Sequence, residues 1–160
     1  MDYLWTPWRY TYIAGLQNNS GDCVFCQIAA RKEAAGLIVH RAEYNYIVLN
    51  RFPYTSGHTM VVPYRHFGLF HELTPEEAAE TMALTRRLQR ALDAEYCPEG
   101  YNIGWNQGKC AGAGVAGHLH LHVIPRWVGD TNMVGAIGET RVLPEDLDTT
   151  LAKLHKHFGA

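Results

Sequence analysis

Three imidazoles at alternate positions, His118-Leu119-His120-Leu121-His122, gather more chemistry than any other stretch of the 160-residue chain. Successive side chains of a β-strand point to opposite faces, so a strand over His118 to Pro125 puts the three histidines on one face and Leu119, Leu121 and Val123 on the other. Positions i and i+4 of a strand lie roughly 13 Å apart, so the three rings cannot ligate one metal ion without severe bending. They must divide the labour. The central ring, His120, is unprotonated near neutral pH and can be oriented through its second nitrogen, which suits nucleophilic attack. His118 and His122 then hold a metal or contact phosphate oxygens. An isolated histidine would read as a solvent-facing polar residue or part of an adventitious metal patch; strict alternation against an apolar face argues otherwise.

A second cluster is Cys23-Val24-Phe25-Cys26. Alone it is a redox dithiol, half of a metal site or coincidence. A redox dithiol normally opens a helix after a strand in a βαβ unit, a context the flanking residues do not suggest. Two further nitrogen or sulfur ligands from distant histidines would complete a tetrahedral zinc site. Cys97 and Cys110 look unpaired. Cys110 falls in Asn106-Gln107-Gly108-Lys109-Cys110-Ala111-Gly112-Ala113-Gly114, glycine-rich enough for close backbone approach to a phosphate.

These residues need a scaffold, and the chain can supply one. With 47% hydrophobic and 19% charged residues it has the balance of a single globular domain over 1–160. A net charge of −2 argues against wrapping a nucleic-acid backbone, while a small anionic ligand needs only local donors. No apolar run reaches the roughly 20 residues of a membrane span. Absence of a dense cysteine framework points to a reducing, cytoplasmic setting. Residues 1–22 read as an aromatic arm packed on the domain.

β-branched and aromatic runs predict a hairpin of Leu37–His40 and Tyr44–Leu49, then strands over His58–Val62, Tyr101–Trp105 and His118–Pro125. Thr74, Pro75 and Glu77 form a capping-box signature for a helix reaching about Tyr96, with Leu84, Leu88, Ala91 and Leu92 inward and Glu80, Arg86, Arg87 and Arg90 toward water. A short amphipathic helix follows over about Glu145–His157. Strands, a helix, then strands again predict an α+β fold, an antiparallel sheet of about five strands covered by one long helix.

The run Gly117-His118-Leu119-His120-Leu121-His122-Val123-Ile124-Pro125-Arg126-Trp127 resembles the signature of the histidine-triad (HIT) superfamily of nucleotide hydrolases and transferases. Leu4-Trp5-Thr6-Pro7-Trp8-Arg9, Gly57-His58-Thr59-Met60-Val61-Val62-Pro63, Ala111-Gly112-Ala113-Gly114 and Pro125-Arg126-Trp127-Val128-Gly129-Asp130-Thr131-Asn132 extend the similarity to the bacterial branch related to diadenosine tetraphosphate phosphorylases. The resemblance implies a HIT-like five-stranded sheet, and His120 as the nucleophile on the α-phosphate of a nucleotide or dinucleoside polyphosphate. His122 would contact the phosphate and His58 join the network that orients the nucleophile. Asn50 would hold the ribose hydroxyls, and Asn106, or Gln107 if the loop register differs by one, the phosphate or leaving group. Gly112, Gly114 and Trp127 complete the nucleotide-binding set. A structural zinc would take Cys23, Cys26, His66 and His118. Inorganic phosphate or water is the acceptor, and a homodimer is the expected assembly. The chain departs from many hydrolase members at Ala113-Gly114, where a side chain that would reach the leaving oxygen is missing. Hydrolysis of nucleoside phosphoramidates or adenylylated adducts shares the first step; a zinc-stabilised nucleotide-binding module is the non-enzymatic alternative. His40, His71, His155 and His157 read as isolated surface or core histidines.

Overall fold

In the computed structural model, which describes residues 23–30, 36–131 and 143–159, the β-branched and aromatic runs become five strands. These are β1 (Ile38–Arg41), β2 (Asn45–Leu49), β3 (Thr59–Pro63), β4 (Gly100–Trp105) and β5 (Leu121–Arg126). They form one antiparallel sheet in the order β1-β2-β3-β5-β4. Three helices accompany it: α1 (Val24–Ala30), α2 (Pro75–Tyr96) and α3 (Leu147–Phe158). The expected α+β fold is the observed one. The arm expected over 1–22 lies outside the described residues. No described helix is long and apolar enough to cross a membrane.

Each sheet face has its own apolar partner, which is why all five residues of β2 and all five of β3 are buried. On one face Ile47, Leu49, Val61, Leu121 and Val123 pack under Leu84, Leu88 and Leu92 of α2 and Leu154 and Phe158 of α3. On the other, Tyr46, Val48, Met60 and Val62 meet Phe25 of α1. The triad histidines open onto this second face.

Helix α2 begins as the sequence predicts. The Thr74 hydroxyl accepts from the Glu77 N–H at 3.2 Å, and Glu77 accepts from the Thr74 N–H at 2.8 Å. Cys97 ends the helix in the left-handed region, φ 44°, just before Pro98. Helix α3 starts two residues later than predicted because Asp146 takes the cap, its carboxylate accepting from the Thr149 N–H at 2.7 Å.

Two expectations need correction. The catalytic strand does not begin at His118: β5 starts at Leu121, and His118 to His120 form its lead-in. Extending the β3–β5 register would bring Leu119 opposite Pro63, which has no N–H to continue the ladder, and the Leu119 N–H goes to the Phe67 carbonyl instead. Glu80, expected to face water, is half-buried and accepts from the backbone N–H groups of Glu43, Tyr44 and Asn45 at 3.0, 2.8 and 2.7 Å. The Asn45 side-chain amide donates to the same carboxylate at 2.9 Å. One acidic side chain of α2 therefore gathers the donors of the β1–β2 turn and sets where the hairpin sits.

Removing that acceptor leaves several donors without a protein partner, so Glu80→Ala is expected to lower the unfolding free energy by about 2–3 kcal/mol. Urea denaturation measures it; wild-type stability would show that the carboxylate does not hold the hairpin.

Candidate active site and metal cluster

The triad keeps its common face although only its last member lies in regular strand. Phe25 packs on His118 and His120, with ring centroids 5.4 and 4.8 Å apart, and the His120 and His122 rings lie 4.8 Å apart. All three histidines are buried. Leu121 and Val123 point the opposite way, into the α2-side core.

Backbone carbonyls can only accept, and this fixes two tautomers. His120 Nδ1–H donates to the His118 carbonyl at 2.8 Å, which leaves Nε2 as the lone-pair nitrogen. His118 Nε2–H donates to the Pro63 carbonyl at 2.9 Å, which leaves Nδ1 bare. Burial lowers the pKa of His120 and of His118, in each case against the opposing effect of the carbonyl bond. Burial, with His120 as a neighbour, pushes His122 down to about 4. The group of imidazoles is thus held neutral, as a nitrogen nucleophile requires.

His58 stands at the entry to β3, with Nε2 2.9 Å from His122 Nδ1. Asn50 lies beside it, its amide nitrogen 3.4 Å from both His58 ring nitrogens and its carbonyl oxygen accepting from the Phe52 N–H at 3.0 Å. Next to His122 a cleft of about 220 Å³ opens between Tyr54, Asn102, Gly104, Asn106 and Ile124. Gly104 pairs with His122 across β4 and β5, and a methyl group built there would meet nothing within 4 Å. Its missing side chain keeps the space beside His122 open.

Bare His118 Nδ1 faces the cysteines. It lies 3.3 Å from Cys23 Sγ, 3.6 Å from Cys26 Sγ and 3.3 Å from His66 Nδ1, while Cys26 Sγ and His66 Nδ1 are 3.4 Å apart. All four ligand atoms fall within 4.8 Å of one another. Tetrahedral zinc with bonds of about 2.0–2.3 Å to nitrogen and sulfur has edges of about 3.3–3.8 Å, so these separations fit a Cys2His2 ion. The carbonyl of Pro63 supplies the outer-shell bond that orients a ligand histidine. Cys23-x-x-Cys26 does open a helix, α1, contrary to the expectation for its context; the two adjacent imidazoles, not a missing helix, carry the metal reading.

A protein-family model described as HIT domain matches residues 31–128. This chain belongs to the HIT family. It is 42% identical over 154 residues to an AP-4-A phosphorylase of Mycobacterium tuberculosis, covering 92% of this chain and 79% of that one. It is 32% identical over 142 residues to Protein hit of Bacillus subtilis, covering 87% and 96%. Among solved structures, a zinc-bound histidine triad family protein of Mycobacterium smegmatis superposes with a TM-score of 0.69 at 32% identity, over 85% of this chain and 92% of that one.

Within this HIT chain the remaining expected site residues separate. Asn106 lines the cleft. The Gln107 carbonyl oxygen accepts from the Phe70 N–H at 2.8 Å, so that side chain ties the loop to the segment before α2. Gly112 closes a short 3-10 turn, Lys109–Ala111, with φ 86°, and Gly114 is exposed. Trp127 is beyond the far end of β5, its indole N–H donating to the Tyr96 carbonyl at the end of α2 at 3.3 Å. The structure does not bring it to the triad. Tyr54, Asn102 and Gly104 were missed from the sequence. Gly104 carried a signal, since a glycine inside a strand marks a place where something approaches closely; Tyr54 lies in the loop Asn50 to Gly57, whose length suits holding a ligand, and Asn102 carried none.

Two outcomes follow. Cys23→Ser is expected to lose zinc on dialysis against a chelator under conditions where the wild type retains it, and to melt earlier; equal retention would reject the four-ligand site. His122 has a folded pKa below its unfolded value near 6.5, so between about pH 6.5 and pH 4 the unfolded chain binds a proton the folded one does not. Stability should therefore fall across that window as pH is lowered. His122→Asn should flatten the fall by about 3 kcal/mol at most, read as the difference between urea curves of variant and wild type; parallel curves would place His122 in a solvated setting.

Proposed function

We propose that this HIT protein transfers a nucleotidyl group from a dinucleoside polyphosphate to inorganic phosphate, with His120 as the covalent nucleophile. The observation that carries the reading is the His120 ring: buried, neutral, and held through Nδ1 so that Nε2 keeps its lone pair. Nε2 attacks the α-phosphate and the bond to the bridging oxygen breaks. With diadenosine tetraphosphate the leaving group is ATP, and AMP stays on His120. Phosphate then attacks the same phosphorus, releasing ADP and the free imidazole. His122 and Asn106, which face the cleft, donate to phosphate oxygens, and Asn50 takes the ribose. His58 orients His122.

Similarity to an AP-4-A phosphorylase over nearly the whole chain supports phosphate as acceptor. Zinc at Cys23, Cys26, His66 and His118 would serve structure, because four protein ligands leave no open position for substrate. It would hold α1 and the lead-in to β5 together. A homodimer belongs to the same proposal.

Incubation with diadenosine tetraphosphate in oxygen-labelled water, with and without phosphate, separates the acceptors. ADP and ATP formed only with phosphate are expected; AMP and ATP formed regardless of phosphate would make the protein a hydrolase. His120→Asn is expected to lose turnover by at least about 1,000-fold while still binding nucleotide, and an acid-labile AMP adduct should be seen on wild type alone.

A further inference from the structure

The turn that precedes β3 has a role that its composition, Tyr54-Thr55-Ser56-Gly57, does not advertise. The Thr55 hydroxyl donates to the carbonyl of Pro125 on β5 at 3.0 Å, and its own carbonyl accepts from the His58 N–H at 3.2 Å. The turn lies flush on that strand. Gly57 has φ +78°, and a Cβ there would come within 3.1 Å of Pro125 Cγ and 2.9 Å of Leu92 Cδ2. Held this way, the backbone N–H of Tyr54 points at His58 Nδ1 from 3.0 Å.

A backbone N–H can only donate, so His58 Nδ1 is the acceptor and the His58 proton sits on Nε2. Nε2 faces His122 Nδ1 at 2.9 Å and donates to it. His122 is neutral, so its own proton is forced onto Nε2, the one remaining ring nitrogen. The relay closes on itself: its anchor, Pro125, and its recipient, His122, are three residues apart on one strand. The Tyr54 ring covers it, 4.6 Å from the His58 ring and 6.2 Å from the His122 ring, nearly parallel to the latter.

We propose that Thr55 is a positioning residue for the reaction: by pinning the turn to Pro125 it fixes the tautomer of His58 and, through it, the Nε2–H that His122 presents to the substrate phosphate. Its catalytic consequence rests on the nucleotidyl-transfer reading above; its tautomer consequence does not.

Imidazole nitrogen NMR on the 15N-histidine protein tests the two parts separately. In the wild type, His58 and His122 should each show a protonated Nε2 and a bare Nδ1; a protonated Nδ1 on either ring would overturn the relay whether or not the protein turns over any nucleotide. Thr55→Val keeps the shape and removes the donor. It should give mixed tautomers at both rings and lower kcat for diadenosine tetraphosphate with phosphate by about 10- to 100-fold, with KM changed less than about twofold. Thr55→Ser should restore both. A Thr55→Val protein with wild-type nitrogen spectra and wild-type kcat would reject Thr55 as the anchor. Wild-type tautomers as described, in a protein inert toward the dinucleotide, would leave the relay standing and remove the proposed substrate.

Discussion

His118 is held at three points at once, and the order of the whole site follows from them. Its Nε2–H is bound to the last residue of β3, its Nδ1 sits among two thiols and a second imidazole, and its carbonyl accepts the Nδ1–H of His120. One residue thus joins the cysteine cluster through its ring and His120 through its backbone. Helix α1 belongs to the same unit, because Phe25 stands between the two cysteines in sequence, packs on the His118 and His120 rings, and accepts from the Tyr46 hydroxyl through its carbonyl at 2.9 Å. The helix that carries the cysteines thus also carries the ring that packs on the triad.

The rest of the fold explains why so polar a cluster can be buried. Its strands are covered on the α2 side by an apolar core that accounts for most of the packing, so the second face is free to carry imidazoles. A buried imidazole left without partners would cost on the order of 1–3 kcal/mol, but each of these has at least one ring nitrogen matched to a fixed donor or acceptor. Among the described residues the cleft beside them is lined by neutral side chains, with no carboxylate to repel phosphate. The nearest ordered cation on that strand, Arg126, is occupied by Asp130 at 2.8 Å and by Asn102 at 2.6 Å. Among the described residues this surface thus offers neutral hydrogen-bonding groups on strands and no free basic patch, in keeping with the chain's slightly negative charge.

Much of this was legible in the residues. β-branched and aromatic runs marked the strands, and the Thr74-Pro75-Glu77 signal fixed the start of α2 to the residue, because these are local effects of backbone geometry and capping. The face shared by the three histidines was also readable. What failed was non-local. The strand start at Leu121 depends on Pro63 sitting across the sheet, and the burial of Glu80 depends on a hairpin 35 residues away bringing its turn to α2. Trp127 looked like part of the site because it adjoins the triad in sequence; a strand rising about 3.3 Å per residue carries it away to the end of α2. Asn102 reaches the cleft through its pairing with Ile124, which no short motif encodes.

His120 and the three histidines beside it divide their ring nitrogens in a fixed way, and this accounts for why so few charges are needed. Each triad ring has one nitrogen committed to a fixed partner and one left over, while His58 has both committed. His118 gives Nε2 to Pro63 and keeps Nδ1 for the cysteine cluster; His120 gives Nδ1 to a carbonyl and keeps Nε2 as a lone pair; His58 spends Nδ1 on the Tyr54 N–H and Nε2 on His122; His122 accepts at Nδ1 and turns Nε2 outward as a donor. The result is a lone pair on one ring beside an N–H on the next, with centroids 4.8 Å apart. An attacking nitrogen and a donor for the charge that builds on phosphate oxygens need that complementarity, and two freely tautomerising imidazoles would adopt it only part of the time. Fixing it in the folded state means no reorganisation is required when substrate arrives, which is how preorganised sites gain their advantage over water.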